Sequence, residues 1–120
     1  MPETSPFYED GILAASTGGT ALSIATVYLS LHTASPGQTG ANEEAGGGYA
    51  RVAVSWNSPS AGVSTNSGTV TVNNNGTASY VGLWDAISGG NFLIGGPLTP
   101  SESGATVVIG VGDLTWAATN

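Results

Sequence analysis

Apolar and polar side chains alternate along several short segments of the chain between residues 25 and 117. In residues 25–33 (ATVYLSLHT) an aliphatic residue occupies every second position from Val27 to Leu31. Because successive side chains of a strand point to opposite faces, this spacing predicts a strand with one apolar face. Residues 79–85 (SYVGLWD) are more continuously apolar, as in a strand that is buried on both faces. Five further strands are predicted, at residues 50–56, 68–72, 91–98, 105–111 and 114–117.

Turn-forming residues separate these segments. Residues 73–76 (NNNG) end in Asn-Gly, a strong signal for a hairpin turn. Residues 35–37 and the glycines at 46–48 bound a long polar loop, and residues 88–91 and 100–104 form two more corners. About seven short strands with turns at this spacing are typical of a β-sandwich or a small barrel. We predict an all-β fold, a single-domain β-sandwich of antiparallel strands.

Residues 1–19 precede the first predicted strand and form an N-terminal arm, which leaves residues 20–120 for the sandwich domain. The arm carries four large apolar residues, Phe7, Tyr8, Ile12 and Leu13. We expect them on one side of a short helix that ends at Gly18 and Gly19, because glycine commonly follows the last helical turn. A docked arm with an apolar side predicts a surface that binds a capsid protein or another partner.

The charge of the chain excludes several functions. Its 120 residues include one Lys or Arg (Arg51), one His (His32) and eight carboxylates, for a formal net charge of −7. Nucleic-acid binding needs several cations against the phosphates, and docking on an anionic membrane needs them too, so neither is expected. There is no cysteine for a disulfide or a thiolate site. With no signal peptide or membrane-length apolar run, we expect synthesis in the host cytoplasm.

Side chains that perform chemistry are scarce. His32 is the only histidine, and no Gly-x-Ser-x-Gly motif accompanies it, so we expect a structural histidine rather than a general base. Asp85 and Asp113 lie at strand ends, where aspartate commonly caps a turn, which argues against a glycosidase pair. No Asp-rich calcium loop or His/Cys cluster is present. We therefore predict no enzymatic activity, no metal and no cofactor.

The sequence allows more than one interpretation for two groups of residues. Arg51 is close in sequence to Glu43 and Glu44, and it pairs with one of them either locally or across a subunit boundary. The three tryptophans fall in different predicted strands, where such rings usually fill a core, although one of them would also suit an interface.

Several segments, read in order, resemble a family of small siphophage virion proteins that are labelled capsid decoration, minor tail or tail-fibre-like proteins. The matching segments are residues 27–36 (VYLSLHTASP), 39–44 (TGANEE), 48–56 (GYARVAVSW), 81–86 (VGLWDA), 89–99 (GGNFLIGGPLT) and 112–115 (GDLT). The resemblance spans residues 20–116, and the N-terminus departs from it. It implies a β-sandwich that assembles on the virion, with no catalytic residue.

We rank the capsid first among the functions that this resemblance implies. A capsid decoration (cement) protein would sit on the outer shell, singly or as a trimer, and would bind the major capsid protein. The alternative is a minor tail or tail-fibre-base protein bound to tail proteins; the absence of a long repetitive shaft favours the head. A third interpretation is a carbohydrate- or receptor-binding module that uses Trp56 or Tyr49.

Overall fold

The computed structural model of the protein describes residues 3–19 and 24–117. Its regular secondary structure is mostly antiparallel β-structure with one helix, so the predicted all-β class is confirmed. The elements, in chain order, are β1 (Glu3–Thr4), α1 (Pro6–Ser16), β2 (Val27–His32), β3 (Val52–Val54), β4 (Val63–Thr65), β5 (Val70–Asn73), β6 (Ala78–Trp84), β7 (Phe92–Glu102), β8 (Thr106–Ile109) and β9 (Thr115–Ala117).

One large sheet and two strand pairs make up the β-structure. The large sheet has the order β1-β7-β6-β2-β3, and β5 pairs with β8 and β4 with β9. Each of the seven predicted segments overlaps one strand, whereas β1 and β4 are additional. β7 also runs four residues beyond its predicted end at Leu98, to Glu102.

The core lies between the large sheet and the β5–β8 pair. Along β5, Val70 and Val72 are buried while their neighbours are exposed, and β8 alternates in the same way at Val107 and Ile109. β6, by contrast, is buried from Val81 to Trp84, as its continuous apolar pattern predicts. The buried apolar residues of these strands belong to one cluster, apart from Trp84 and Phe92, whose rings pack on each other. A single shared core is what a sandwich requires.

Two glycines face each other at the centre of the large sheet, Gly82 in β6 and Gly95 in β7. A Cβ atom at Gly82 would lie 2.7 Å from Ser30 Oγ and 2.8 Å from His32 Nε2. A Cβ atom at Gly95 would lie 2.6 Å from the Cγ atom of Pro36. Side chains from β2 and from the loop after it occupy the space that the two missing side chains leave.

The N-terminal arm is tied to the sheet. Thr4 of β1 is paired with Ile94 of β7, and the backbone N–H of Ser5 donates to the Leu93 carbonyl at 2.8 Å. Ser5 is also the N-cap of α1, since its hydroxyl accepts from the Tyr8 N–H. The helix ends next to Gly18, whose φ of +83° suits glycine. The predicted boundary between arm and domain borders residues 20–23, which lie outside the described residues.

The four apolar residues of α1 do not share one side of the helix. Tyr8, Gly11 and Ala14 are half-buried towards the rest of the protein, whereas Phe7, Ile12 and Leu13 are exposed. At about 100° per residue, Leu13 points well away from Tyr8, so the prediction of a common side is wrong for Leu13. Across the described ranges, no helix has both the length and the apolar character needed to span a bilayer.

Candidate docking surface

Helix α1 presents apolar side chains outwards while one aromatic ring anchors it. The Tyr8 ring packs against Trp116 of β9, with 5.5 Å between the ring centroids. Phe7, Ile12 and Leu13, which we call the helix patch, are 41%, 45% and 62% exposed. At about 100° per residue the three side chains project in different directions, and Ile12 lies nearest to Tyr8 in direction. Large apolar side chains exposed on one short helix are candidates for contact with another protein. All four predicted docking residues therefore lie on α1, three in the helix patch and Tyr8 as its anchor.

An apolar groove adjoins the helix patch. We call it the aromatic groove; its volume is about 330 Å³, and it is lined by Tyr8, Trp56, Asn57, Pro59, Gly62, Val63, Ser64 and Trp116. Trp56 and Trp116 meet edge to face, with centroids 5.3 Å apart and ring planes at 63°. Tyr8 belongs both to α1 and to the groove. Ile12, one turn after Tyr8 on the same side of α1, is therefore the member of the helix patch that lies towards the groove.

A buried asparagine positions the two tryptophans. Trp56 is bridged to Asn66, and Trp116 lies opposite Ser64 in the β4–β9 pair. The Asn66 side chain, which is fully buried, donates to the Gly68 and Gly110 carbonyls, and its oxygen accepts from the Leu114 N–H. These bonds join the end of β4 to the segment that leads into β9. The groove walls are consequently held together before any partner arrives.

The groove lining carries no charged side chain. Burial raises the pKa of Tyr8, so the phenol stays neutral at physiological pH. The indole N–H groups of Trp56 and Trp116 are both buried without a hydrogen-bond partner in the described part of the chain. On α1, Glu9 and Asp10 are exposed, and the Glu9 carboxylate accepts from the Thr4 hydroxyl. The groove itself is thus apolar and uncharged, in a chain whose net charge is −7.

Arg51 lies elsewhere and has an internal role. Its Nε and Nη2 atoms donate to the two carboxylate oxygens of Glu43 at 2.8 and 2.9 Å. Its Nη1 atom donates to the carbonyls of Ala86 and Gly89, and its guanidinium lies 3.7 Å from the centroid of the Trp84 ring. The Arg51 side chain is only 7% exposed. Of the two alternatives for Arg51 and Glu43, the structure shows the local pair.

Glu44 takes no part in that pair. One of its carboxylate oxygens accepts from the Asn75 N–H at 2.8 Å, and the residue is 5% exposed. Glu44 therefore joins the long loop to the β5–β6 turn. The prediction of a subunit contact through Arg51, Glu43 and Glu44 remains untested by a single chain, but none of the three side chains projects from the surface to make one.

His32 sits in a closed polar network. Its Nδ1 atom lies 2.7 Å from the Ala41 carbonyl, so Nδ1 carries the proton and Nε2 accepts from the Ser30 hydroxyl at 2.6 Å. Trp84 Nε1 donates in turn to Ser30 Oγ. Burial lowers the pKa of His32, which keeps the ring neutral. Ser30 and His32 have the distance of a nucleophile and its base, but both are fully buried from any substrate.

Glu43 and Asp85 are bound to neighbouring groups of the fold. Burial would raise the pKa of Glu43, but the hydrogen bonds from Arg51 and Tyr49 outweigh it and lower that pKa. Burial and the bond to Glu43 raise the pKa of Tyr49. Asp85 caps its turn through Asn91, as predicted. Within residues 3–19 and 24–117, no three His, Cys, Asp or Glu side chains are grouped to hold a metal ion.

Comparison with known proteins assigns the chain to a family. The family model of the podophage GP4 fibre I protein gp80 matches residues 3–117. This chain belongs to the gp80 fibre protein family. No curated protein matches it. The match covers α1, the helix patch and both tryptophans of the aromatic groove.

Membership in the gp80 family bears directly on the resemblance noted above. It confirms a phage structural protein of the fibre type, while the family's name refers to a podophage rather than a siphophage. It supports the tail-fibre alternative and says nothing in favour of a capsid location.

The aromatic groove was not predicted from the sequence. The sequence favours the core for the tryptophans, with an interface as the alternative for one of them; Trp56 and Trp116 are both half-buried and line a surface groove. The available signal was that each tryptophan lies at the end of a short predicted segment, where a ring reaches the rim of a sandwich. The groove forms because both tryptophans lie near Tyr8 in the folded protein. The alternation of apolar and polar residues along the sequence does not predict such contacts between distant residues.

Proposed function

We propose that this gp80-family chain is a non-enzymatic structural protein of the phage fibre, and that it attaches to a neighbouring virion protein through the helix patch. The observation that carries the proposal is the exposure of Phe7, Ile12 and Leu13 on a helix whose N-terminal end and Tyr8 are fixed to the domain.

The fixed arm suits attachment for a thermodynamic reason. A segment that folds only on binding loses conformational entropy at that moment, which weakens the complex. Here the pairing of β1 with β7, the Ser5 cap and the Tyr8–Trp116 contact order the arm beforehand. Docking would therefore bury the helix patch with little additional ordering.

A structural rather than catalytic role is supported by the use of the polar side chains. Arg51 and Glu43 bind each other and the backbone, and His32 is enclosed. The groups best suited to acid–base chemistry are thus engaged in holding the fold.

The proposed location and partners follow from the family and the charge. The family favours the fibre over the capsid shell that we ranked first from the sequence, and tail proteins over the major capsid protein as partners. The same surface would also serve a capsid decoration protein. A net charge of −7 supports binding to protein rather than to nucleic acid or membrane. Whether the chain forms a trimer on the virion remains a prediction.

The proposal is tested with phage particles that carry a double variant, Ile12→Ser with Leu13→Ser. Both side chains are exposed, so we expect the thermal unfolding midpoint to stay unchanged while incorporation into purified particles falls at least tenfold. The matched control is Val108→Ser with Val111→Ser, which replaces two equally exposed residues away from α1 and should leave incorporation normal. Normal incorporation of the α1 variant would overturn the proposal.

A further inference from the structure

We infer that the aromatic groove binds one apolar side chain from a basic segment of the partner protein. This inference rests on the proposed function and specifies the partner's chemistry. It adds to the helix patch a second point of contact, formed by residues that come together only in the folded chain.

The size and rigidity of the groove fit a single anchoring side chain. Its volume of about 330 Å³ lies at the small end of ligand pockets, which span roughly 300–1,000 Å³. The edge-to-face contact of Trp56 and Trp116 and the bonds of Asn66 preform it. Preformed aromatic pockets of this kind receive the central anchor residues of protein interfaces.

The lining favours an apolar side chain over a sugar. A saccharide needs several hydrogen-bonding groups that converge on its hydroxyls. The Ser64 hydroxyl already donates to the Asn57 carbonyl at 2.6 Å, and the Asn57 amide donates to Thr65. The remaining walls are rings and aliphatic groups, chiefly those of Tyr8, Trp116 and Val63. Such walls recognise apolar shape but not hydroxyl positions.

The charge of the chain favours a basic partner over a second copy of this chain. Its eight carboxylates and a single Lys or Arg give a formal net charge of −7. Arg51, the only Lys or Arg in the sequence, is buried against Glu43 and cannot neutralise the other carboxylates. A second copy would bring like net charges together, whereas Lys or Arg beside the anchor residue would complement the net charge of this chain.

The inference is tested by titrating the protein with synthetic peptides and following its tryptophan indole N–H signals by NMR. The probe peptide has a central Phe flanked by Lys and Arg; one control replaces Phe with Ser, and another replaces the basic residues with Glu. We expect saturable shifts for Trp56 and Trp116 and none for Trp84, which is bonded to Ser30 inside the protein. Each control peptide should bind at least tenfold more weakly.

A groove-filling variant locates the binding. Ser64→Phe places a ring in the groove and should reduce affinity for the probe peptide at least tenfold. Thr71→Phe adds the same ring at an exposed position of β5 and should leave affinity unchanged. Unfolding midpoints of both variants establish that they fold; if Ser64→Phe does not, the Trp56 and Trp116 shifts of the unmodified protein decide.

Three outcomes would overturn the inference: no saturable shift at Trp56 and Trp116, equal affinity for the acidic peptide, or shifts caused only by an N-acetylglucosamine oligomer titrated in parallel. None of these affects the proposed function, which stands or falls with the incorporation of the Ile12 and Leu13 variant. The two tests therefore fail independently.

Discussion

Arg51 connects three parts of the chain that are distant in sequence. It binds Glu43 in the long loop and the carbonyls of Ala86 and Gly89 at the β6–β7 corner, and it covers the Trp84 ring. A charged group so fully enclosed is stable only while its partners remain. The single cation of this chain therefore acts as a cross-link.

Replacing Arg51 with Ala should cost about 3 kcal/mol of unfolding free energy, because Glu43 would be left partly buried without its counter-ion. Urea unfolding measures the loss. Asp10→Asn, which changes an exposed carboxylate on α1, is the control and should stay within about 0.5 kcal/mol of the unmodified protein. A loss equally small for Arg51→Ala would contradict the cross-link.

His32 makes stability depend on pH. Its pKa in the folded protein lies below the ordinary value of 6.5 because the ring is buried. His32 therefore binds a proton more readily in the unfolded chain than in the folded protein. Its contribution to the unfolding free energy is complete above about pH 6.5 and declines as the pH falls below that value. The pKa of Glu43 is lowered as well, and its contribution is lost in a separate, more acidic window, below its ordinary value of 4.5.

We expect the unfolding free energy to decrease between pH 6.5 and pH 5, and His32→Gln to flatten this decrease. Gln does not titrate, so the informative quantity is the slope of the unfolding free energy against pH rather than the unfolding free energy at one pH. Chemical unfolding at several pH values gives the slope of each protein. An identical slope in the variant would show that another group titrates in this window.

At the scale of the elements, the facing glycines of β6 and β7 allow side chains of β2 and of the loop after it to pack directly against the backbone of the large sheet. Gly82→Ala should destabilise the protein by about 1–3 kcal/mol, since the new Cβ atom collides with Ser30 and His32. Gly68→Ala is the matched control, because its Cβ atom would meet no atom within 4 Å, and we expect it to be neutral. Thermal unfolding compares the two, and equal midpoints would contradict the packing role of Gly82.

The sequence predicts the longer elements well and the contacts between them poorly. Alternation locates β2 and β5 because one face of each meets the core, and continuous apolarity identifies β6 as buried. β1 and β4 have two and three residues, too few for a period to be visible. The sequence does not predict which side of α1 is buried, nor the aromatic groove, because both depend on the packing of Tyr8 against Trp116, which is far away in the sequence.

At the scale of the whole molecule, α1 borders the aromatic groove only while the arm stays docked. Tyr8→Ala removes the ring that packs on Trp116, and we expect it to expose Trp116 and to reduce incorporation into particles. Acrylamide quenching of tryptophan fluorescence measures that exposure. Phe7→Ala removes a neighbouring ring from the exposed side and should leave quenching unchanged; equal quenching in both variants would contradict the anchoring role of Tyr8.

The central claim is that this gp80-family chain is a structural part of the phage fibre. Counting its copies in purified particles by quantitative mass spectrometry, with immunogold labelling to locate them, tests it most directly. The account predicts a small number of copies per particle, all at the fibres. Hundreds of copies spread over the head would instead indicate a capsid decoration protein, and absence from the particle would contradict a structural role altogether.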